Sequence, residues 1–127
     1  MIDQFLGLPV PPSLNNSFYP RRDGKGMAKT THYKQWQRVA FQNITVAKMR
    51  RGNSNPPLQS VGKHYEVSII CGLNHKSDID NIIKPTLDVL SKAKITPDDS
   101  WCDFVCIRRR KGHDRETITI TLRGETL

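Results

Sequence analysis

The chain of 127 residues is long enough for one domain with a modest core, and at 36% hydrophobic and 25% charged it is too apolar for wholesale disorder. Twenty Lys and Arg against 12 Asp and Glu give a formal net charge of +8, which favours a polyanionic partner such as nucleic acid. No apolar run approaches the ~20 residues of a membrane span.

MIDQFLGLPVPPS has neither the basic leader nor the apolar region of a signal peptide, and three cysteines without framework spacing fit reduced thiols. A cytoplasmic protein with no membrane partner is the expectation.

Residues 2–8 are short and apolar enough for a first strand. The stretch PVPPSLNNSFYPRRDGKGMAKT then has no periodicity, four prolines and two glycines. Asn15, Asn16, Phe18, Tyr19, Arg21, Arg22 and Lys25 mix amide, aromatic and cationic groups there. That mixture suits a grip on a nucleic-acid backbone and equally suits a surface loop.

Residues 31–51 predict an amphipathic helix. Thr30 or Thr31 can cap it, Tyr33, Trp36, Ala40, Ile44 and Ala47 recur at spacings of three and four, and Gly52 would end it. NSNPPLQSVG reads as a linking loop. Tyr65, Val67, Ile69 and Cys71 alternate with Glu66, Ser68 and Ile70, the period of a strand.

After the turn GLNHK, Ser77 is placed to cap a second helix whose stripe is Ile79, Ile83, Leu87 and Leu90, running toward Ala93. Pro85 interrupts it, at a cost of about 3 kcal/mol or a kink, so the first turn should differ from the rest. Residues 102–109 and 116–122 both alternate and predict an antiparallel hairpin with the tip RRRKGHDR. The expected order is β-α-β-α-β-β: one α+β domain over residues 1–127, a small mixed sheet with two helices packed on it.

Asp78, Asp80, Asp88, Asp98, Asp99 and Asp103 are half of all the acids. Singly they have ordinary explanations: helix first-turn acids, turn formers, exposed polar positions. Asp88, on the helix's exposed side, and Asp103, beside a strand start, take that explanation outright. As a set, a D-x-D at a strand-to-helix junction and a D-D in a turn converge if the helix packs back along the sheet. Converging carboxylates repel, and oxygen-only donors suit Mg²⁺ or Mn²⁺.

Calcium in a helix-loop-helix hand is excluded, because Ile82, Ile83 and Val89 stand where a ligand, a glycine and a glutamate belong. Zinc is disfavoured, since Cys102, Phe104 and Cys106 should face one way and pack. Lys84, one turn after Asp80, is either an intrahelical ion pair or a contact to a scissile phosphate, to the attacking water or to transition-state charge. Arg108, Arg109, Arg110 and Lys111 form either a solvated turn or, as four adjacent cations favour, a phosphate clamp.

DIDNIIK, then PTLDVL, then DDS fourteen residues past the lysine, together with LPVPPSLNNSFYP near the start, resemble the RusA family of Holliday-junction resolvases. The resemblance runs from about Leu8 to Leu122. It implies a homodimeric, Mg²⁺-dependent endonuclease, with Mn²⁺ as a substitute, that cuts two strands of a four-way DNA junction symmetrically. It further implies Asp78, Asp80 and Asp99 as metal-binding catalytic acids, Asp98 as a supporting carboxylate and Lys84 as the essential lysine.

Some family members carry an arginine cluster before the first aspartate, where this chain has only His75 and Lys76. The grip on DNA then shifts toward Asn15, Asn16, Tyr19, Arg21 and Arg22 and toward the tip Arg108–Lys111. The alternatives are another metal-dependent nuclease, acting on forks, flaps or RNA, and a non-catalytic DNA-binding module whose aspartates only cap and solvate.

Overall fold

The computed structural model describes residues 2–12, 18–52, 56–72 and 79–127, without the side chains of Ile2, Phe18 and Asp80. In chain order the elements are β1 (Ile2–Pro9), β2 (Phe18–Pro20), β3 (Met27–Lys29), α1 (Thr31–Lys48), β4 (Tyr65–Gly72), α2 (Asp80–Lys92), a 3-10 turn (Asp99–Trp101), β5 (Cys102–Arg110) and β6 (Thr117–Gly124). The main sheet has the order β1-β6-β4-β5, with β5 parallel to β4 and the other pairs antiparallel. The α+β class and the mixed sheet agree with the sequence. The second sheet, the β2–β3 hairpin, lies inside a stretch too short-stranded to show a period.

Helix α1 begins where Thr30 Oγ1 accepts a hydrogen bond from the Tyr33 amide at 3.1 Å, and it buries the predicted stripe of Tyr33, Trp36, Ala40, Ile44 and Ala47. It stops at Lys48, three residues before the predicted end. The Ala47 carbonyl accepts the Leu58 amide at 2.9 Å, so the following segment satisfies the helix end. That segment is more than a link: Leu58 and Val61 are buried, and Gln59 exchanges two hydrogen bonds with the buried Gln4 at 2.7 and 2.9 Å.

In α2 the buried residues are Ile82, Pro85, Thr86, Leu87, Val89 and Leu90, with Ala93 just past its end, so the core face takes in Ile82 and Val89 beside the predicted Leu87 and Leu90, and Ile83 is only partly buried. Pro85 lies within the helix, and the first turn closes by a tight bond from the Ile82 amide to the Ile79 carbonyl at 3.1 Å. Ile79 precedes the helix without a side-chain cap, while Ser77, the predicted cap, lies outside the described residues. No described helix is long and apolar enough to cross a membrane.

The predicted β5–β6 hairpin does not form. Both strands are present, but β4 lies between them and pairs with each. Alternation shows which residues share a face; it does not show which strand is the neighbour. The connection from β5 to β6 crosses the end of β4 at Gly72. A Cβ there would lie 3.0 Å from the His113 carbonyl oxygen and 3.2 Å from Arg115 Cα and the Asp114 carbonyl oxygen.

A second correction concerns β5. The register shifts between Tyr65 and Glu66, so Cys102 opposes Tyr65 whereas Phe104 opposes Glu66. Cys102, Val105 and Ile107 pack against the core, and Phe104 is 52% exposed on the other face, with Phe5 at 57%. Cys102, Phe104 and Cys106 therefore do not pack together.

Gly72→Ala should destabilise the fold by roughly 1–3 kcal/mol, because the new methyl meets backbone that cannot rotate away. A lower urea midpoint at unchanged slope is the expected measurement.

Candidate active site

Helix α2 and the turn before β5 meet through one side chain. Lys84 Nζ lies 2.9 Å from Asp99 Oδ2 and 3.2 Å from Asp88 Oδ1, one helical turn further on. The hydrogen bond to Asp99 and then that to Asp88 raise the lysine above its ordinary value. Asp98 caps the 3-10 turn by accepting the Ser100 amide at 3.0 Å. That bond, followed by the contact with Asp99, holds the Asp98 carboxyl below the usual carboxylate range.

Asp88 was expected on the exposed side of α2 with no role. It is instead half-buried, with a side chain 34% exposed, and bound to Lys84. Its position four residues after the lysine was the signal available in the sequence. Its charge also reaches Tyr33 on α1. Burial pushes that phenol up to about 12, with Asp88 adding to the shift and Lys84 opposing it. Asp103 sits apart, 3.1 Å from His64 Nδ1.

His64 has a left-handed backbone (φ 65) and meets the Trp101 ring edge-on, with centroids 5.4 Å apart. Lys63 Nζ stands 4.2 Å from the centre of that ring. Lys63 and His64 of this flank come from the loop before β4, which carries no periodic signal, and Trp101 comes from the same 3-10 turn as Asp99.

Asp80 opens α2, but its side chain lies outside the described residues, as do Asp78, His75, Lys76, Asn15 and Asn16 entirely. Among the described residues no three His, Cys, Asp or Glu side chains converge on one point. The described donors suit a hard divalent cation. Asp98 and Asp99 are neighbouring carboxylates, and the cationic group bonded to Asp99 is the Lys84 ammonium. Thiolate chemistry does not compete. The Cys102 thiol is pushed up chiefly by burial and donates to the Phe104 carbonyl at 3.3 Å, while the Cys106 thiol faces Ser68 Oγ at 3.4 Å.

The basic tip lies elsewhere. Arg110 ends β5 eight residues after Cys102, about 26 Å away at 3.3 Å per residue. Along that strand Arg108 and Arg110 share the face of Phe104, and Arg109 stands opposite Cys71 on the core-side face. In the N-terminal stretch, Arg21 Nη2 pairs with Asp23 Oδ2 at 2.7 Å, and the Arg21 amide bonds the Gly26 carbonyl at 2.9 Å across the β2–β3 turn. Tyr19 and Arg22 are exposed on this hairpin.

The model of the family described as endodeoxyribonuclease RusA matches residues 9–123. No curated protein matches the chain.

Because the Lys84 ammonium is held above its ordinary value, its stabilising effect is present below the unfolded pKa of ~10.4 and fades as pH rises through the folded one. Asp99→Asn should lower the Lys84 titration midpoint more than Asp88→Asn does. Following the lysine ε-carbon by NMR against pH measures both.

Proposed function

The chain belongs to the RusA family of endodeoxyribonucleases, and from that premise we propose that it resolves four-way DNA junctions by Mg²⁺-dependent hydrolysis of one phosphodiester in each of two opposed strands. The observation that carries this reading is the 2.9 Å contact between Lys84 and Asp99. It joins the two segments, DIDNIIK and DDS, whose pairing in sequence first suggested a site. A module that only bound DNA would gain nothing from carboxylates facing the phosphates.

In this reading Asp78, Asp80 and Asp99 hold the divalent ion with Asp98 in support, and the oxygen-only donor set suits Mg²⁺ or Mn²⁺. The ion supplies Lewis-acid polarisation of the phosphoryl oxygen and screens the acids from the DNA. Lys84 has a narrower role than its sequence position alone implied. Its bonds to Asp99 and then Asp88 favour the charged form, which suits it to donate a hydrogen bond rather than to accept a proton. It donates its charge and hydrogen bonds to the oxygen that gains charge as the phosphodiester breaks.

Two opposed strands require two equivalent centres, so the working form is a homodimer. The +8 net charge supplies capture of the junction, and the thiols of Cys71, Cys102 and Cys106 suit a reducing cytoplasm.

Labelled four-way junction, linear duplex and single strand, each with Mg²⁺ and with EDTA, test the activity. Paired symmetric nicks on the junction alone, abolished by EDTA, are the expected result. Equal cutting of a fork, flap or RNA would move the substrate class. Lys84→Ala should reduce cleavage by roughly 10²–10³-fold while leaving the urea midpoint nearly unchanged, since exposed ion pairs contribute little to stability. Asp80→Asn should stop cleavage yet keep or strengthen junction binding, measured by gel shift without divalent ion.

A further inference from the structure

Asp98, which caps the turn carrying Asp99, also lines a cavity of about 510 Å³. Val61, Pro97 and Leu127 give that cavity apolar walls, and the exposed Lys63 and Lys94 line it as well. Its walls are tied to one another within the fold. Ser60 Oγ donates to the Lys94 carbonyl and the Val61 amide to the Ile95 carbonyl, both at 2.8 Å, and the Leu127 amide bonds the Ser60 carbonyl at 3.0 Å.

Lys94 occupies a position that suits glycine. Helix α2 ends with the Ile95 amide on the Leu90 carbonyl and the Lys94 amide on the Ser91 carbonyl, both at 3.0 Å, a closure that sets a left-handed residue just past the helix. Glycine adopts that backbone without strain, yet the residue here is a lysine with φ 59. Next to Lys63, His64 has φ 65, and among the described residues these two are the non-glycine positions with left-handed backbone. Such backbone concentrates at ligand clamps. Lys63 Nζ lies 4.2 Å from the centre of the Trp101 ring, so one cation links the cavity to the aromatic beside Asp99. The cavity also holds a buried hydroxyl. Thr96 is 4% exposed, and among the described residues its Oγ1 has no well-directed hydrogen-bond partner, since the Tyr65 hydroxyl beside it points to the Pro97 and Asp98 carbonyls, 3.4 Å from each.

Resting on the DNA-cutting reading above, we propose that this cavity receives one unstacked nucleobase of the bound strand, with Thr96 Oγ1 hydrogen-bonded to its edge and Lys63 and Lys94 on the phosphates that flank it. A nucleobase in a strand has the matching parts: flat apolar faces, a polar edge and a negative charge on either side. The volume lies within the range of pockets that enclose a small ligand. Ser91, on the cavity wall, follows Lys84 by seven residues along α2, a rise of about 10 Å. At ~3.4 Å per nucleotide, the captured base stands about three positions from the scissile bond. Extrusion is easiest where a base is already unpaired, so the cavity favours branched over linear DNA.

Four-way junctions carrying 2-aminopurine at successive positions along one strand, bound in EDTA, test the proposal. Emission at one position should rise several-fold on binding the wild type, and Ser91→Phe, which fills the cavity, should abolish the rise. Excess free deoxyadenosine monophosphate should leave that emission unchanged; loss of the signal would make this a free-nucleotide site and overturn the strand assignment. Thr96→Val keeps the size and drops the hydroxyl, and it should weaken binding about threefold. A junction abasic at the responsive position should bind both proteins alike. Lys94→Gly should raise the urea midpoint by relieving the left-handed lysine, yet weaken junction binding about fivefold near 0.15 M salt and flatten the log–log salt slope by about 0.9. A purely structural residue would not move stability and binding in opposite directions. Emission unchanged at every position, equal brightening in Ser91→Phe, or undiminished binding by Lys94→Gly overturns the site. None of these readouts needs cleavage. Brightening without nicks keeps the base site and rejects the nuclease reading, and nicks without brightening do the reverse.

Discussion

The Lys84 ammonium is shared between carboxylates that reach it from two directions, one on its own helix and one on the turn that launches β5. Everything assigned to the site depends on that sharing. Lys84 on the helix and Asp99 on the turn, fifteen residues apart, are joined by a side chain that is itself 68% exposed. Surface ion pairs add little to stability. What this one supplies is placement: it sets a permanent cation among acids that would otherwise repel one another, at a point open to a large polyanion.

The charge pattern around it follows a simple logic. A net charge of +8 favours a polyanionic partner, and the acids beside Lys84 are set within that excess of cations. Here the acids alternate with lysines instead of clustering alone. Asp99 and Asp88 flank Lys84, and Asp88 in turn acts on Lys29. The alternation breaks up what would otherwise be a wholly negative surface. The arginines at the end of β5 lie too far along the strand to share this work, and they split across the two faces of the sheet.

How much of this was legible in the sequence depended on whether the signal was local. The α1 stripe was read correctly because Tyr33, Trp36, Ala40, Ile44 and Ala47 have no competing period. In α2, Ile79, Ile82, Ile83, Leu87, Val89 and Leu90 offer two overlapping stripes, and only packing decides that Ile82 and Val89 go inward. The β5–β6 pairing was misread because alternation carries no information on adjacency, and Phe104 because a one-residue register shift reverses every side chain beyond it. The Asp88–Lys84 contact was missed because Asp88 was judged alone, whereas the meeting of the DIDNIIK and DDS segments was expected from their spacing and is seen in the Lys84–Asp99 contact. The hairpin of β2 and β3 has strands of three residues, too short for any period to register.

The sheet order carries a consequence for how the molecule is made. Strand β6 lies between β1 and β4 and pairs with both, so residues 2–9 gain a neighbour in this sheet only when residues 117–124 are in place. Until then a nascent chain holds Leu6 and Leu8 on one side and Val67 and Ile69 on the other with their shared centre missing. Pairings of such sequence separation are slow to close and leave unsatisfied strand edges meanwhile. The sheet therefore closes through its most distant pairing: β5, launched by the turn that holds Asp99, pairs directly with β4, whereas β1 joins the sheet only through β6.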